Sequence, residues 1–449
     1  MTSAPIASIS AATSASCGGL RAPMATFAPS RAQARAIARP MPGPMPVTMA
    51  TLSFSSISSP CPESPDLLDF PLVRGSPYSL EYVYQIFETG VLIDIRGRPM
   101  TFKVIQWATG KVGQRAARAI IDHPDLELVG VHAFSPDKVG NDAGELCGAD
   151  ETGVLATRDI EELLALGADC VSYNPLLPDP DELERILEAG INVVSTAGFI
   201  TGRNVTGNLY ERIDRAARKG GASVFGGGIN PGFMNQFAVM LTSVCDRVHS
   251  ISVTESADVS SYDSPGIWKM LGWGQPVGAE GQNLHVESVS EFFRDGLDSM
   301  AEALGLELDE KRTVVEYSVA RNDIELPFMT FPKGTVAGQR STWHGIAGGR
   351  PVISLRIVWQ MGGDLDPGWP LDQGYRIEIE GEPAISTRFE LKQPKQAGLS
   401  REPHTMGLAW VATAMPTINA IPAVCRAAPG VCSYLDLPPI CASNLVRLA

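Results

Sequence analysis

From Lys103 onward the apolar residues fall into two alternating rhythms. Continuous runs at Lys103–Ala108, Glu127–Phe134, Ala168–Tyr173, Asn192–Thr196 and Ala222–Phe225 read as buried strands. Between them, Val112–Asp122, Ile160–Leu166, Pro180–Ala189 and Arg203–Lys219 carry apolar residues at helical spacing. Strands that are apolar throughout and alternate with helices predict a parallel, doubly wound α/β sheet, a Rossmann-type domain. No repeat of solenoid period runs through the chain.

Past residue 250 the rhythm changes. Ser250–Val259, Thr313–Ala320, Pro351–Trp359 and Tyr375–Gly381 alternate or are rich in β-branched residues, with a helical pattern at Val289–Leu304 between them. This predicts a C-terminal α+β domain with an open mixed or antiparallel sheet and helices on one face. The "STWHGIAGG" stretch around His344 reads as a polar and aromatic loop. The closing "HTMGLAWVATAMPTINAIPAVC" reads as a helix broken at Pro416 that returns to pack on the first domain. Its apolar part, Leu408–Val424, holds Pro416, Pro422 and polar residues, and falls short of a membrane span. The expected organisation is an extension over 1–99, a nucleotide domain over 100–230, a substrate and dimerisation domain over 231–405, and a C-terminal helix and tail over 406–449.

The extension differs in texture. Its first sixty residues are rich in Ser, Ala, Pro and Met, with four arginines and no acidic residue. Met100 stands just before the first strand, so either the true start is Met100 or the segment is a transit-like leader. In both cases it is expected to be disordered, because it buries too little apolar surface to offset its ordering. Residues 78–95 could form a short local element.

Charge narrows the partners. A net charge of −14 argues against nucleic acid and anionic membranes. The eight cysteines are scattered, with no C-x-x-C and no metal-ligand spacing, so reduced thiols, a cytoplasmic location and no metal are expected.

The stretch "KVIQWATGKVGQRAARAI" is the most informative. Its first strand meets a glycine turn and then a helix, but the first glycine of G-x-G-x-x-G is replaced by Ala108. Gly110 would let the backbone approach a pyrophosphate, Gly113 would let helix and strand pack, and the helix N-terminus would face the diphosphate. Ala108, Thr109, Gly110, Lys111, Val112 and Gly113 are therefore candidate cofactor contacts. The second strand ends in Ala133 and Phe134 with no acid there for a ribose 2′-hydroxyl; Ser135 and Lys138 follow and suit a 2′-phosphate. NADP is the expected cofactor, with NAD possible. Three segments reach the carboxyl edge of the sheet, "SYNPL", "STAGF" and "GGGINPGF". Tyr173, Asn174, Thr196, Ala197 and Asn230 should line the nicotinamide there, with Gly226–Gly228 allowing close backbone approach.

Hydride transfer also needs a group that protonates or polarises the acceptor. Tyr262 and Asp263 in "TESADVSSYDSP" are candidate acids, Glu255 a candidate amine-binding carboxylate, and His344 a further candidate. Trp268, Trp273 and Trp343 hint at an apolar substrate pocket or a core.

Taken together, "VIQWATGKVGQRAARAIIDHPDLELVGVHAFSPDKVGNDAGELCG", "GGGINPGF", "VTESADVSSYDSP" and "TAMPTINAIPAV" resemble the actinobacterial dihydrodipicolinate reductase-like proteins, relatives of 2,4-diaminopentanoate dehydrogenases and amine dehydrogenases. The resemblance runs from Met100 nearly to the end. It implies a Rossmann domain, an α+β C-terminal domain, dimerisation through that second sheet, and NAD(P)H-dependent reduction of a C=N bond or its reverse. Two family features are missing. The paired-His, Lys and "APSGT" segment of the lysine-pathway reductases does not occur, and "STAGFITG" lacks the glutamates that the amine dehydrogenases carry after the fifth strand. The sequence supports an oxidoreductase acting on an imine, amine or related carbonyl of an apolar small molecule. It leaves open a non-catalytic NADP-binding scaffold, or a C=C or alcohol oxidoreductase on the same fold.

Overall fold

The computed structural model describes residues 101–203, 208–280, 282–395 and 405–446, and a short antiparallel pair, 85–86 with 92–93. Apart from that pair, the expectations for residues 1–99 lie outside the described residues.

The first half is built as its apolar runs dictate. The elements in order are β1 (Phe102–Trp107), α1 (Lys111–Asp122), β2 (Leu126–His132), α2 (Ala143–Cys147), β3 (Ala156–Thr157), α3 (Ile160–Leu164), β4 (Cys170–Tyr173), α4 (Pro180–Glu188), β5 (Asn192–Ser195), α5 (Leu209–Gly220) and β6 (Ser223–Gly226). Helix α4 starts where Asp179 accepts hydrogen bonds from the N–H groups of Asp181 (2.9 Å) and Glu182 (3.3 Å), with Pro180 opening the first turn. Helix α5 follows Asn208, a residue that favours turns and caps over helix interiors, and covers the later part of the expected Arg203–Lys219.

The second half contributes α6 (Met234–Leu241), β7 (Arg247–Asp258), α7 (Pro265–Met270), α8 (Gln282–Ala303), β8 (Glu310–Ala320), β9 (Val336–Ala347), β10 (Arg350–Gln360), β11 (Leu365–Asp366), β12 (Gly374–Glu382) and β13 (Ile385–Phe389). The chain ends with α9 (Thr405–Ile418), α10 (Ile421–Val424) and β14 (Gly430–Cys432).

Two seven-stranded sheets result. The first has the order β14-β6-β5-β4-β1-β2-β3 and is parallel throughout. Strand order reverses between β1 and β4, which opens the crevice where such sheets bind nucleotides. One face packs on α1, α9 and α10 through Val104, Ile120, Ala414, Ile418 and Val424. The other packs on α3, α4 and α5 through Ile105, Val193, Leu183 and Ile213. Each fully buried aliphatic side chain of this kind stabilises by roughly 1.5–3 kcal/mol.

The second sheet, β11-β8-β9-β10-β7-β12-β13, is mixed, with β10 and β7 the parallel pair. Helices α6 and α8 cover one face through Phe293, Leu297, Ile251, Val253 and Trp343. The buried Asp295 of α8 reaches the loop after β5, where its Oδ2 accepts from the backbone N–H groups of Thr201 and Gly202, both at 2.8 Å.

Two expectations are corrected. The stretch around His344 is a central strand, β9, because its β-branched and aromatic residues pair on both sides with β8 and β10; Gly338 and Gly345 had masked the alternation. Helix α9 continues through Pro416 to Ile418, since the proline lies in its last turn, where the buried Ala414 and Ile418 hold it in place. By length and composition Met406–Val424 would suffice to cross a membrane, at a mean hydropathy of 1.3, but here it is two helices packed on the first sheet.

Candidate functional site

The loop after β1 has the shape of a diphosphate cradle. Ala108 stands at φ +75°, the left-handed conformation that glycine adopts freely. Gly110 caps α1 without any side-chain hydrogen bond, and no acid lies in the first turn. The first bond of the helix runs from the Gln114 N–H to the Gly110 carbonyl at 2.9 Å, so the N–H groups of Lys111, Val112 and Gly113 are left at the helix mouth.

The two glycines behave differently. A Cβ on Gly113 would stand 2.2 Å from the Ala108 carbonyl oxygen, so this residue is small for packing. A Cβ on Gly110 would meet nothing within 4 Å, and its φ of −72° is open to any residue. The protein itself gives no reason for a glycine at 110. A diphosphate lying on the helix N-terminus gives one, and the residues present fit it.

A chain of amides fixes this edge. Buried Gln106, which the sequence reading missed, donates from Nε2 to the Ala108 carbonyl (2.9 Å) and to Asn174 Oδ1 (2.9 Å). Asn174 Nδ2 in turn donates to Thr196 Oγ1 at 2.9 Å. Glutamine at 106 thus ties the loop to the ends of β4 and β5. Ala197 is buried beside Thr196, its N–H donating to Ser195 Oγ at 2.9 Å. Lys138 Nζ donates to the Thr109 carbonyl at 2.8 Å, while Ser135 hydrogen bonds to Asp137. Lys138 and the loop are therefore brought together, whereas Ser135 is engaged by an acid that the sequence reading passed over.

Tyr173 is corrected. It is fully buried, its hydroxyl donates to Glu182 at 2.9 Å and accepts from the Asp179 N–H at 2.9 Å, and it belongs to the core under α4. Gly226 and Gly227 are also small for protein packing: a Cβ at 226 would lie 2.1 Å from the Gly198 carbonyl oxygen, and one at 227 would crowd Thr417 and Tyr434. His132, another residue missed, ends β2 stacked on Trp107 at 4.3 Å. Burial, helped by the Arg158 charge, brings its pKa down to about 4.

The second half contributes a carboxylate. Glu255 on β7 accepts from Asn230 Nδ2 at 2.7 Å, from Trp359 Nε1 at 2.8 Å, and from the Tyr375 hydroxyl. Burial pushes its carboxyl above the ordinary range, and these three hydrogen bonds only partly offset that. The buried Oδ1 of Asn230 has no hydrogen-bond partner. Tyr262 lies beside this group. Its phenol is pushed up first by burial and then by the Glu255 charge, so it stays protonated.

Trp410 of α9 joins this cluster to the cradle. Its ring lies 5.9 Å from that of Tyr262, with Lys111 Nζ 5.5 Å and the Arg115 guanidinium 4.9 Å from its centroid. Asn230, Glu255 and Tyr262 thus converge near the mouth of α1.

The remaining candidates stand elsewhere. Asp263 is exposed on the loop after Tyr262 and takes no part in the cluster. His344 is corrected as a site residue. Side chains alternate along β9, so it lies on the face opposite Trp343 and α8, with Nδ1 2.9 Å from Ser354 Oγ. Burial, Arg356 and Arg312 hold its pKa below the ordinary value.

Comparison with known proteins agrees with this geometry. Residues 104–201 match the family model of the dihydrodipicolinate reductase N-terminus, and 233–447 that of the 2,4-diaminopentanoate dehydrogenase C-terminal domain. An amine dehydrogenase of Streptomyces virginiae is 32% identical over 351 residues, spanning 74% of this chain and 95% of the relative. The 2,4-diaminopentanoate dehydrogenase of Acetoanaerobium sticklandii is 25% identical over 355 residues, 75% and 93% of the two chains. The amine dehydrogenase structure from Mycobacterium smegmatis shares the fold at a TM-score of 0.62 and 21% identity, covering 76% of this chain and 96% of that one. With its Rossmann cradle and mixed second sheet, the chain belongs to the amine dehydrogenase and 2,4-diaminopentanoate dehydrogenase family, and is an NAD(P)-dependent oxidoreductase.

Proposed function

We propose that this enzyme interconverts an amine and its imine, with Glu255 as the group that binds the nitrogen and moves its proton. The observation that carries the reading is the pair of acceptors beyond β6: a buried carboxylate, and beside it an Asn230 carbonyl oxygen without a partner. A buried acceptor left unmatched costs free energy unless a ligand donor meets it. An ammonium or iminium nitrogen offers such donors. Relatives named for amine substrates, in Streptomyces virginiae and Acetoanaerobium sticklandii, support the same class.

In the oxidative direction the substrate carbon loses a hydride and its nitrogen loses a proton, leaving the imine. The nicotinamide, when bound, takes up or returns that hydride. Glu255 in its ionised form accepts the proton, and in the reverse direction its protonated form gives it back. Asn230 holds the carboxylate in place and orients the second N–H. Trp359 and Tyr375 donate to the carboxylate and keep it from swinging away. Tyr262, neutral beside it, walls the site from water.

NADPH is the preferred cofactor in this reading and NADH is tolerated. Lys138, already bonded to the cradle, and the exposed Arg158 near His132 supply positive charge for a 2′-phosphate. Asp137 offers an acceptor to a ribose diol and so weakens the discrimination. Two copies pair through the face of the second sheet that α6 and α8 leave uncovered, where His344 and Arg356 lie.

The test is Glu255→Gln. Turnover of a small primary amine with NADP⁺ should fall about 10²–10⁴-fold, while NADPH affinity, read by nicotinamide fluorescence, stays unchanged. Because the carboxyl titrates above the ordinary range, the wild-type oxidation rate should fall as pH drops through that raised value, and Glu255→Gln should lose this limb. Equal turnover in the variant would end the assignment, and NADPH binding without any turnover would favour a sensor.

A further inference from the structure

A small cavity of about 30 Å³ opens among Leu271, Phe293, Ser341, Trp343, Ile357 and Trp359. Its position ties it to the amine site. Ile357 is the strand neighbour of Glu255 in the β10–β7 ladder, and Trp359, in its wall, is the residue whose Nε1 donates to Glu255 at 2.8 Å.

The polarity of the wall can be read from a chain of donors. An indole N–H only donates, so Trp273 Nε1, 3.1 Å from Gln339, fixes the acceptor as the amide oxygen Oε1. The amide nitrogen Nε2 must then face Ser341 Oγ, 2.8 Å away. The Ser341 hydroxyl accepts that bond and keeps its own proton free to give. Trp343, 3% exposed and stacked on Phe293 at 4.1 Å, likewise has an Nε1–H without a partner. The Ser341 hydroxyl thus offers a donor on an otherwise apolar wall, whereas the Trp343 Nε1 is sealed within the core.

We infer that this cavity is a specificity subsite for the substrate's second substituent, taking a short apolar group that carries a neutral hydrogen-bond acceptor such as an ether, carbonyl or hydroxyl oxygen. The inference rests on the amine reading for the position of the reacting nitrogen. The small volume suits a short group rather than a long chain or a ring. A carboxylate does not suit it, because the wall offers no cation.

The test uses an isosteric pair, 1-methoxypropan-2-amine and pentan-2-amine, which differ by an ether oxygen in place of a methylene. Both are assayed as substrates with NADP⁺ and titrated as ligands of the NADPH-loaded enzyme. The wild type should prefer the ether about tenfold in kcat/KM and in affinity. Ser341→Ala should erase most of that preference while keeping pentan-2-amine, and Trp343→Phe, which preserves the stack on Phe293, should leave the preference in place. Equal or reversed preference in the wild type, a preference that survives Ser341→Ala, or binding of neither amine would overturn the subsite. An ether preference in binding, lost in Ser341→Ala but without turnover of either amine, would keep the subsite and sink the amine chemistry.

Discussion

Gly110 and Gly113 stand one helical turn apart, and a single methyl group separates their roles. Gly110→Ala should leave the urea midpoint of the cofactor-free protein unchanged and abolish NADPH binding, because its Cβ meets only space. Gly113→Ala should destabilise the free protein by about 1–3 kcal/mol, because its Cβ runs into the Ala108 carbonyl. His132 supplies a pH signature. Its native pKa, about 4, lies below the ordinary value of 6.5, so the unfolded chain binds the proton more readily. Its stabilising share is complete above about pH 6.5 and is lost as the pH falls toward about 4, on the order of 2 kcal/mol in all. His132→Phe, which keeps the stack on Trp107, should flatten that part of the stability profile in acid-titration melts. Much of this scale was legible beforehand. The glycine loop and Lys138 could be read because their chemistry is local to the chain. Gln106 and the Asn230–Glu255 pair could not, since one glutamine in a strand looks like any other until Asn174, 68 positions away, accepts its hydrogen bond.

Among elements, α9 links the most. It covers one face of the nucleotide sheet and carries Trp410, which touches both α1 and Tyr262. Trp410→Ala should therefore weaken NADPH binding and lower turnover together, whereas Glu255→Gln affects turnover alone; fluorescence titration beside steady-state kinetics separates the two. The strands of the first sheet were legible as apolar runs because both of their faces are buried. Strand β9 was hidden because Gly338 and Gly345 sit in it without breaking it: Gly338 is crowded by Leu365 and Ser318, and Gly345 by Leu308. A glycine demanded by a neighbouring side chain looks, in sequence, like one demanded by a turn. Helix α9 was read as broken because a proline breaks a helix interior, but in the last turn it removes one hydrogen bond at most.

For the molecule as a whole, the net charge of −14 should steer cationic amines toward the enzyme. Raising the salt, which shortens the Debye length from about 8 Å at physiological strength, should raise the KM of a protonated amine and leave that of a neutral ketone unchanged. Equal salt responses would show that the field of the chain plays no part. Order of construction also matters at this scale. Strand β14, residues 430–432, lies at the edge of the nucleotide sheet against β6, which ends at residue 226. On a ribosome making roughly 5–20 residues per second, β6 waits on the order of 10–40 s for its neighbour. For that interval the nascent chain carries a cradle without its covering helix and an open sheet edge. The share of cofactor binding that depends on Trp410 thereby waits until α9 has been made, and the open edge is where a chaperone would act.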